Sequence, residues 1–81
     1  MTIVTLYTRP GCHLCENALR VLRRVSEDTP FTLREVDITA DDALHTRYLE
    51  RIPVVAVNDV EHFEFFVEEP HLRDILYREG R

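Results

Sequence analysis

The sequence lacks any long apolar run and any sign of a secretion signal. No segment approaches the roughly 18 consecutive apolar residues that a membrane span requires. The N-terminal stretch MTIVTLYTRPGC lacks the charged region and long apolar core that begin a signal peptide. These absences predict a cytoplasmic protein that has no membrane partner.

Positive charge is also in short supply. The chain has ten basic and 15 acidic residues, which gives a net charge of −5. Because the phosphate backbone of a nucleic acid is itself negative, we expect no nucleic-acid partner. The chain has no internal repeat and no glycine- or serine-rich linker, and its 44% hydrophobic content is typical of a globular protein. Residues 1–81 are therefore predicted to form a single domain, which we expect to be monomeric.

Cysteine is scarce, and the two that occur, Cys12 and Cys15, form a CxxC pair. In a reducing compartment such a pair is more often catalytic or metal-binding than a permanent staple. A zinc site would need two further ligands, and His45, His62 and His71 lack the paired spacing of such sites. The pair predicts thiol–disulfide chemistry without a metal. A zinc-binding module and a redox-sensing interaction module without turnover remain the alternatives.

Hydrophobic patterns predict alternating strands and helices. The apolar runs at 3–7 and Val54–Val57 are typical of buried strands, whereas the mixed patterns at 31–38 and 60–67 are typical of edge strands. Asn58 and Asp59 would form the turn of a hairpin. The predicted order is βαβαββα, an α/β fold with a four-stranded mixed sheet flanked by three helices and with the first and third strands inside.

Helical periodicity and capping residues predict where the three helices lie. The first helix follows Cys12, the segment at 39–42 resembles the capping box of a second, and Pro70 suits the first turn of a third. The first helix should bury a stripe of four residues, which are Leu14, Ala18, Leu22 and Val25. Four aromatic residues are predicted for the core, namely Phe63, Phe65, Phe66 and Tyr77.

The position of Cys12 at the start of a helix predicts an activated thiol. Only the thiolate attacks a disulfide, and an ordinary cysteine with a pKa of about 8.5 is mostly protonated at neutral pH. Unpaired N–H groups of the first helical turn would stabilise the sulfur anion, with Arg9 and a protonated His13 adding to the effect. Cys15 lies one turn further on, so the pair can close a disulfide. Cys12 is predicted to attack and Cys15 to resolve the mixed disulfide.

The segment YTRPGCHLC at 7–15 resembles the active-site stretch of glutaredoxins, in which a strand end, a basic residue, Pro-Gly and CxxC follow in that order. The segment RIPV at 51–54 is similar to their second signature. The resemblance implies a thioredoxin fold and a thiol–disulfide oxidoreductase that reduces protein or mixed disulfides in cell redox homeostasis and electron transport. It also implies that Pro53 is cis and lies beside the CxxC, and that Ile52 offers backbone groups to an extended substrate.

One departure from the glutaredoxin pattern bears on the electron donor. Glutaredoxins usually carry a Gly-Gly turn and an aspartate before the last helix, which help to hold glutathione, whereas FVEEPH stands here at 66–71. Glu68 and Glu69 would repel the carboxylates of glutathione, although one of them could bind its amino group. We expect no bound cofactor. The expected substrate is a disulfide-containing protein or a small thiol compound, and the expected reductant is glutathione or a dithiol of the thioredoxin system.

The activation of Cys12 predicts how the reduced protein reacts with iodoacetamide. The alkylation rate of Cys12 should be near its plateau at neutral pH, because the thiolate is the reacting species. Mass spectrometry of samples quenched at intervals gives this rate as a function of pH. A rate that climbs only above about pH 8, as for an ordinary thiol, would contradict the activation.

Overall fold

A computed structural model of the protein describes residues 1–80. Four strands, three α-helices and one 3-10 turn follow one another in the predicted order βαβαββα. They are β1 (Ile3–Thr8), α1 (His13–Ser26), β2 (Thr32–Asp37), the 3-10 turn (Ile38–Ala40), α2 (Asp42–Tyr48), β3 (Val54–Val57), β4 (Val60–Glu64) and α3 (Glu69–Glu79). Within residues 1–80, no helix is both long and apolar enough to cross a bilayer.

The four strands form one mixed sheet in the order β2-β1-β3-β4. Strand β1 runs parallel to β2 and antiparallel to β3, and β3 runs antiparallel to β4. All four residues of β3 are buried, whereas β2 and β4 each expose much of one face. The apolar runs therefore occupy the two central positions, and the predicted α/β architecture is confirmed.

The sheet has a different apolar cluster on each face. On one face α1 and α3 pack together over the larger cluster, whose members include Leu6, Leu22, Val55, Phe63, Leu72 and Leu76. On the other face the smaller cluster joins five buried residues, which are Cys15, Ile38, Tyr48, Ile52 and Val54. Because Cys15 is among them, the smaller cluster ties the first turn of α1 to α2 and to the start of β3.

The buried stripe of α1 and the N-cap of α2 differ from the predicted ones. The buried stripe of α1 begins at Cys15 instead of Leu14, which is only half-buried. Helix α2 is capped by Asp41 and not by the predicted capping box that starts at Thr39, because the Asp41 carboxylate accepts two N–H groups of the first turn. Thr39 lies in the 3-10 turn, where its hydroxyl donates to Asp37 over 2.6 Å.

The predicted aromatic core is wrong for three of its four members. Phe63 is buried, but Phe65, Phe66 and Tyr77 are 41%, 69% and 65% exposed. Strand β4 ends at Glu64 instead of residue 67, and Phe65 follows in the left-handed region with a φ of 67°. The alternation that would have turned Phe65 inward therefore stops one residue too early.

A β-bulge in β4 decides which side chains share a face. Val55 pairs with Phe63, and Ala56 pairs with Glu61, so His62 is an extra residue on the edge strand. A regular strand would place residues 61 and 64 on opposite faces. With the bulge, Glu61 and Glu64 lie opposite Ala56 and Val54, and hence on the same face.

Asn58 links the hairpin to both ends of the chain. Asn58 and Asp59 both have positive φ, 49° and 69°, which is typical of a type I′ turn. The Asn58 side chain accepts the Ile3 N–H over 2.9 Å and donates to Glu79 over 2.9 Å. The predicted turn is therefore confirmed, and the side chain of its first residue also joins the hairpin to β1 and to α3.

Two substitutions at Asn58 separate the effect of the hydrogen bonds from that of the backbone. Asn58→Ala should lower the free energy of unfolding by about 2 kcal/mol, because alanine loses the side-chain bonds and disfavours positive φ. Asn58→Gly loses the same bonds but tolerates the backbone angle, so its loss should be about 1 kcal/mol smaller. Urea unfolding measures both. Equal losses in the two variants would contradict the role of the backbone angle.

Candidate active site

A tight turn leads from the end of β1 into α1. Gly11 adopts a φ of 77°, a left-handed angle that disfavours other residues. Cys12 follows in an extended conformation and is the N-cap of α1, as the sequence predicts. Its Sγ accepts the Cys15 N–H over 3.1 Å, and its carbonyl accepts the Glu16 N–H over 3.0 Å. The sulfur thus occupies the place that a capping oxygen takes in other helices.

The two cysteines are paired as a disulfide but differ in accessibility. Their Cα atoms are 5.2 Å apart, inside the range that a disulfide spans without moving the backbone. Cys12 is half-buried, whereas Cys15 is only 3% exposed and belongs to the smaller apolar cluster. An incoming molecule can therefore reach Cys12 much more easily than Cys15.

A cleft of about 340 Å³ opens beside the disulfide, between α1 and the ends of β1 and β2. Its lining combines Arg9 and both cysteines with three carboxylates, those of Glu16, Glu35 and Asp37. Hydrogen bonds from the Thr39 hydroxyl and amide lower the pKa of Asp37, so this carboxylate is charged at neutral pH. The cleft is therefore mainly anionic, with one guanidinium in its wall.

The two residues predicted to support the thiolate occupy different places. Arg9 lines the cleft together with Cys12. His13 projects outward with its side chain 94% exposed, and its Nδ1 lies 3.7 Å from Glu16 Oε1. The structure thus brings Arg9 to the same cleft as the cysteine, and it pairs His13 with a carboxylate on its own helix.

The second predicted motif meets the first in the smaller apolar cluster. The Ile52–Pro53 peptide bond is cis, as predicted, and both residues are buried. Ile52 packs in the same cluster as Cys15, with Cys12 at its margin. The Ile52 N–H, however, donates to the Tyr48 carbonyl over 3.1 Å, so it is not free for a substrate. Of the two backbone groups that Ile52 was expected to offer to a substrate, only the carbonyl remains a candidate.

Tyr48 connects the two motifs through its ring, a role that sequence patterns did not predict. The ring stacks on Tyr7, with centroids 4.2 Å apart and an interplanar angle of 16°. The Arg47 and Arg51 guanidinium carbons each lie 5.3 Å from the Tyr48 centroid. The Tyr48 hydroxyl donates to Glu61 Oε2 over 2.8 Å, and burial is the main cause that raises the Tyr48 pKa to about 12.

Arg51 joins the loop before Pro53 to the edge strand β4. Its Nε donates to Glu64 Oε2 over 2.8 Å, and its Nη2 donates to Glu61 Oε1. The hydrogen bond from Arg51 is the main cause that holds the pKa of Glu61 below its ordinary value, and the bond from the Tyr48 hydroxyl adds to it. Both carboxylates are within reach of one guanidinium only because the bulge at His62 puts them on the same face. The regular alternation of a strand would place these two carboxylates on opposite faces, so the sequence pattern does not predict this arrangement.

A strained residue lies next to the Pro53 loop. Phe65 has a φ of 67°, a conformation that costs an L-residue about 1–2 kcal/mol. Its N–H donates to the Pro53 carbonyl over 2.8 Å, and the next N–H, that of Phe66, donates to the backbone carbonyl of Glu64 over 2.7 Å. The exposed aromatic pair is thus held by backbone bonds against the candidate site.

His71, in the first turn of α3, contacts the larger apolar cluster. The His71 ring packs edge-on against Phe63, with centroids 5.3 Å apart, and Phe63 belongs to the larger cluster. Among the described residues 1–80, no group of three or more His, Cys, Asp or Glu side chains is placed to hold a metal ion.

The ion pair of Glu61 predicts how stability depends on pH. Its folded pKa is depressed below the ordinary 4.5, so its stabilisation is present above about pH 4.5 and is lost as pH falls through the folded value. Glu61→Gln should therefore cost on the order of 1 kcal/mol at neutral pH, and this difference from the wild type should vanish in acid.

Urea unfolding of both proteins between about pH 3 and pH 7 measures the difference. Asp28, Asp37 and Glu69, whose pKa values are also lowered, are unchanged in the variant and cancel in the comparison. A difference that does not change with pH would contradict the assignment to the Glu61 charge.

Comparison with known proteins agrees with this fold. Residues 3–77 match the family model described as Glutaredoxin-like domain (DUF836). An uncharacterized protein of Mycobacterium tuberculosis is 31% identical over 80 residues, which cover 93% of this chain and 82% of that protein. A protein of Dictyostelium discoideum named as a glutaredoxin-like homologue is 30% identical over 77 residues, covering 85% of this chain and 69% of its own.

Solved structures give the same result. The protein Ne2328 of Nitrosomonas europaea superimposes with a TM-score of 0.79 at 28% identity, covering 91% of this chain and 89% of that one. The protein XcR50 of X. campestris superimposes with a TM-score of 0.76 at 31% identity, covering 93% and 96%. A thioredoxin of Halobacterium salinarum, 18% identical, shares the fold with a TM-score of 0.69 over 95% of this chain and 73% of its own. The chain therefore belongs to the Glutaredoxin-like domain (DUF836) family and has the thioredoxin fold.

Proposed function

We propose that the protein is a glutaredoxin-like thiol–disulfide oxidoreductase that reduces protein or mixed disulfides through Cys12 and Cys15. One observation supports this proposal most strongly. The Cys12 sulfur caps α1 and accepts the Cys15 N–H over 3.1 Å, while Cys15 itself is buried behind it. An accessible sulfur at a helix N-terminus, with a second sulfur in bonding reach, is the arrangement that disulfide exchange requires.

Reduction of a substrate disulfide proceeds in two exchange steps. The Cys12 thiolate attacks one substrate sulfur, a Cys12–substrate disulfide forms, and the other substrate sulfur leaves as a thiolate that takes up a proton. The Cys15 thiol then loses its proton and attacks Cys12 Sγ, so the Cys12–Cys15 disulfide forms and the second substrate thiol is released. The substrate gains two electrons and two protons; the protein supplies both electrons and the Cys15 proton, and the solvent supplies the proton that the Cys12 thiolate had already released.

A thiol reductant completes the cycle. Two molecules of glutathione, or one protein dithiol such as that of the thioredoxin system, return two electrons to the pair and are themselves oxidised to a disulfide. One of their two thiol protons restores the Cys15 thiol, and the other is released to solvent because Cys12 remains a thiolate. No bound cofactor takes part in these steps. A cytoplasmic location suits this role, because a reducing thiol pool is available there.

The N-terminus of α1 favours the attacking form of Cys12 although three carboxylates line the cleft, because the Cys15 N–H lies at the sulfur itself. The amide dipoles of α1 and the Arg9 guanidinium stabilise the sulfur anion. His13 can contribute a positive charge when protonated, although its exposure and the nearby Glu16 weaken the effect. The Ile52 carbonyl accepts a hydrogen bond from the substrate segment, and the cis bond to Pro53 shapes this loop so that the substrate disulfide lies beside Cys12.

Single cysteine variants test the assigned roles. Cys15→Ser should accumulate a stable mixed disulfide between Cys12 and the substrate, because the resolving sulfur is missing. Cys12→Ser should be inert, because the remaining Cys15 is buried. Turnover of a small disulfide and mass spectrometry of non-reduced samples measure the two outcomes.

Two results would change the proposal. Equal activity of the two variants would contradict the roles of nucleophile and resolving thiol. Mixed disulfides that form with wild type but never turn over in the presence of either reductant would favour a redox-sensing module instead of an enzyme.

A further inference from the structure

Two neighbouring aromatic side chains are exposed where the chain passes from β4 to α3. Phe65 and Phe66 are 41% and 69% exposed, although both are large and apolar. Their backbone is fixed, because the Phe65 N–H donates to the Pro53 carbonyl and the Phe66 N–H donates to Glu64. We refer to Phe65 and Phe66 as the aromatic turn. Its attachment to Pro53 places it at the edge of the proposed substrate site.

The aromatic turn combines two features that do not favour folding. Phe65 adopts a positive φ that glycine would adopt without strain, and two phenyl rings remain in water instead of the core. Packing within the chain gives no compensation for the exposed part of either ring. Strain and apolar exposure at the rim of a reactive site are typical of residues that contact a partner.

We propose that the aromatic turn docks an extended segment of a protein disulfide substrate, one with a large apolar side chain next to its cysteine and a lysine or arginine close by. This inference rests on the proposed oxidoreductase function and specifies its substrate class. The phenyl rings supply apolar contact area on a backbone that the Pro53 carbonyl already holds in place, so little ordering is needed on binding.

The charges around the aromatic turn select the cationic residue of this partner. Three carboxylates lie within a few residues of the turn, and two of them are neutralised, Glu64 by Arg51 and Glu69 by Arg24. The third, Glu68, is exposed and forms no ion pair within residues 1–80. A lysine or arginine of the substrate would complement it, in keeping with the net charge of −5.

Glutathione fits this surface poorly. It carries two carboxylates, which the Glu68 charge repels, and it has no large apolar side chain to cover the phenyl rings. The aromatic turn therefore favours a polypeptide over glutathione as the molecule that delivers a disulfide to Cys12.

Short peptides with a cysteine in mixed disulfide with thionitrobenzoate test this proposal by the colour of the released thiol. One peptide carries phenylalanine and lysine after the cysteine, the second replaces the phenylalanine with serine, and the third replaces the lysine with glutamate. The wild type should prefer the first over the second by about tenfold in kcat/KM, and over the third by about threefold.

Substitutions in the aromatic turn should change these preferences selectively. Phe66→Ala and Phe65→Gly should each reduce the preference for phenylalanine to about twofold, and Glu68→Gln should remove the preference for lysine. Phe65→Gly should be at least as stable as the wild type, because glycine suits a φ of 67°. The matched control is Val60→Ala, which alters an exposed residue at the other end of β4 and should keep both preferences.

A second measurement keeps the docking surface testable without turnover. A version of the first peptide with serine in place of cysteine should shift the NMR amide signals of Phe65 and Phe66. The shifts should be lost when serine also replaces the phenylalanine of that peptide. If the wild type reduces none of the mixed disulfides but binds this peptide, the proposed function fails and the docking site stands. If turnover occurs with equal kcat/KM for all three peptides, or the peptide does not bind, the docking site is wrong.

Discussion

The contact between the Cys15 N–H, in the first turn of α1, and the Cys12 sulfur is the interaction on which the rest of the site depends. Strand β1 ends beside the N-terminus of α1, Gly11 turns the chain, and Cys12 then caps the helix with sulfur where most helices use oxygen. The dipole of α1 stabilises a negative charge at this position. Because Cys15 is held one turn further on and out of solvent, the two sulfurs have different roles in one arrangement.

The loop before Pro53 is held in place by a different set of forces from those at the CxxC. Tyr48 stacks on Tyr7 and binds Glu61, and Arg51 spans Glu61 and Glu64 on the edge strand. These contacts surround the smaller apolar cluster, in which residues of both motifs pack together. Packing, stacking and ion pairs thus bring the two halves of the site to one place, although about forty residues separate them in the sequence.

Much of the fold and the reactive centre could be predicted from the sequence, because both depend on local patterns. Apolar runs identified β1 and β3 as central strands, and the CxxC after Pro-Gly located the helix N-terminus. The aromatic residues after β4 could not be assigned, because a positive φ at Phe65 interrupts the alternation that predicted their burial. The ion-pair partners of Arg51 could not be predicted either, since the bulge at His62 determines the face on which Glu61 lies.

The central claim is that the N-terminus of α1 keeps the Cys12 sulfur ionised in the reduced protein. Ultraviolet absorbance of the thiolate, titrated against pH with Cys12→Ser as the reference, tests this claim most directly. The account predicts that the Cys12 signal rises through its transition below the ordinary thiol pKa of about 8.5 and is largely complete at neutral pH. A transition at or above that ordinary value would contradict it.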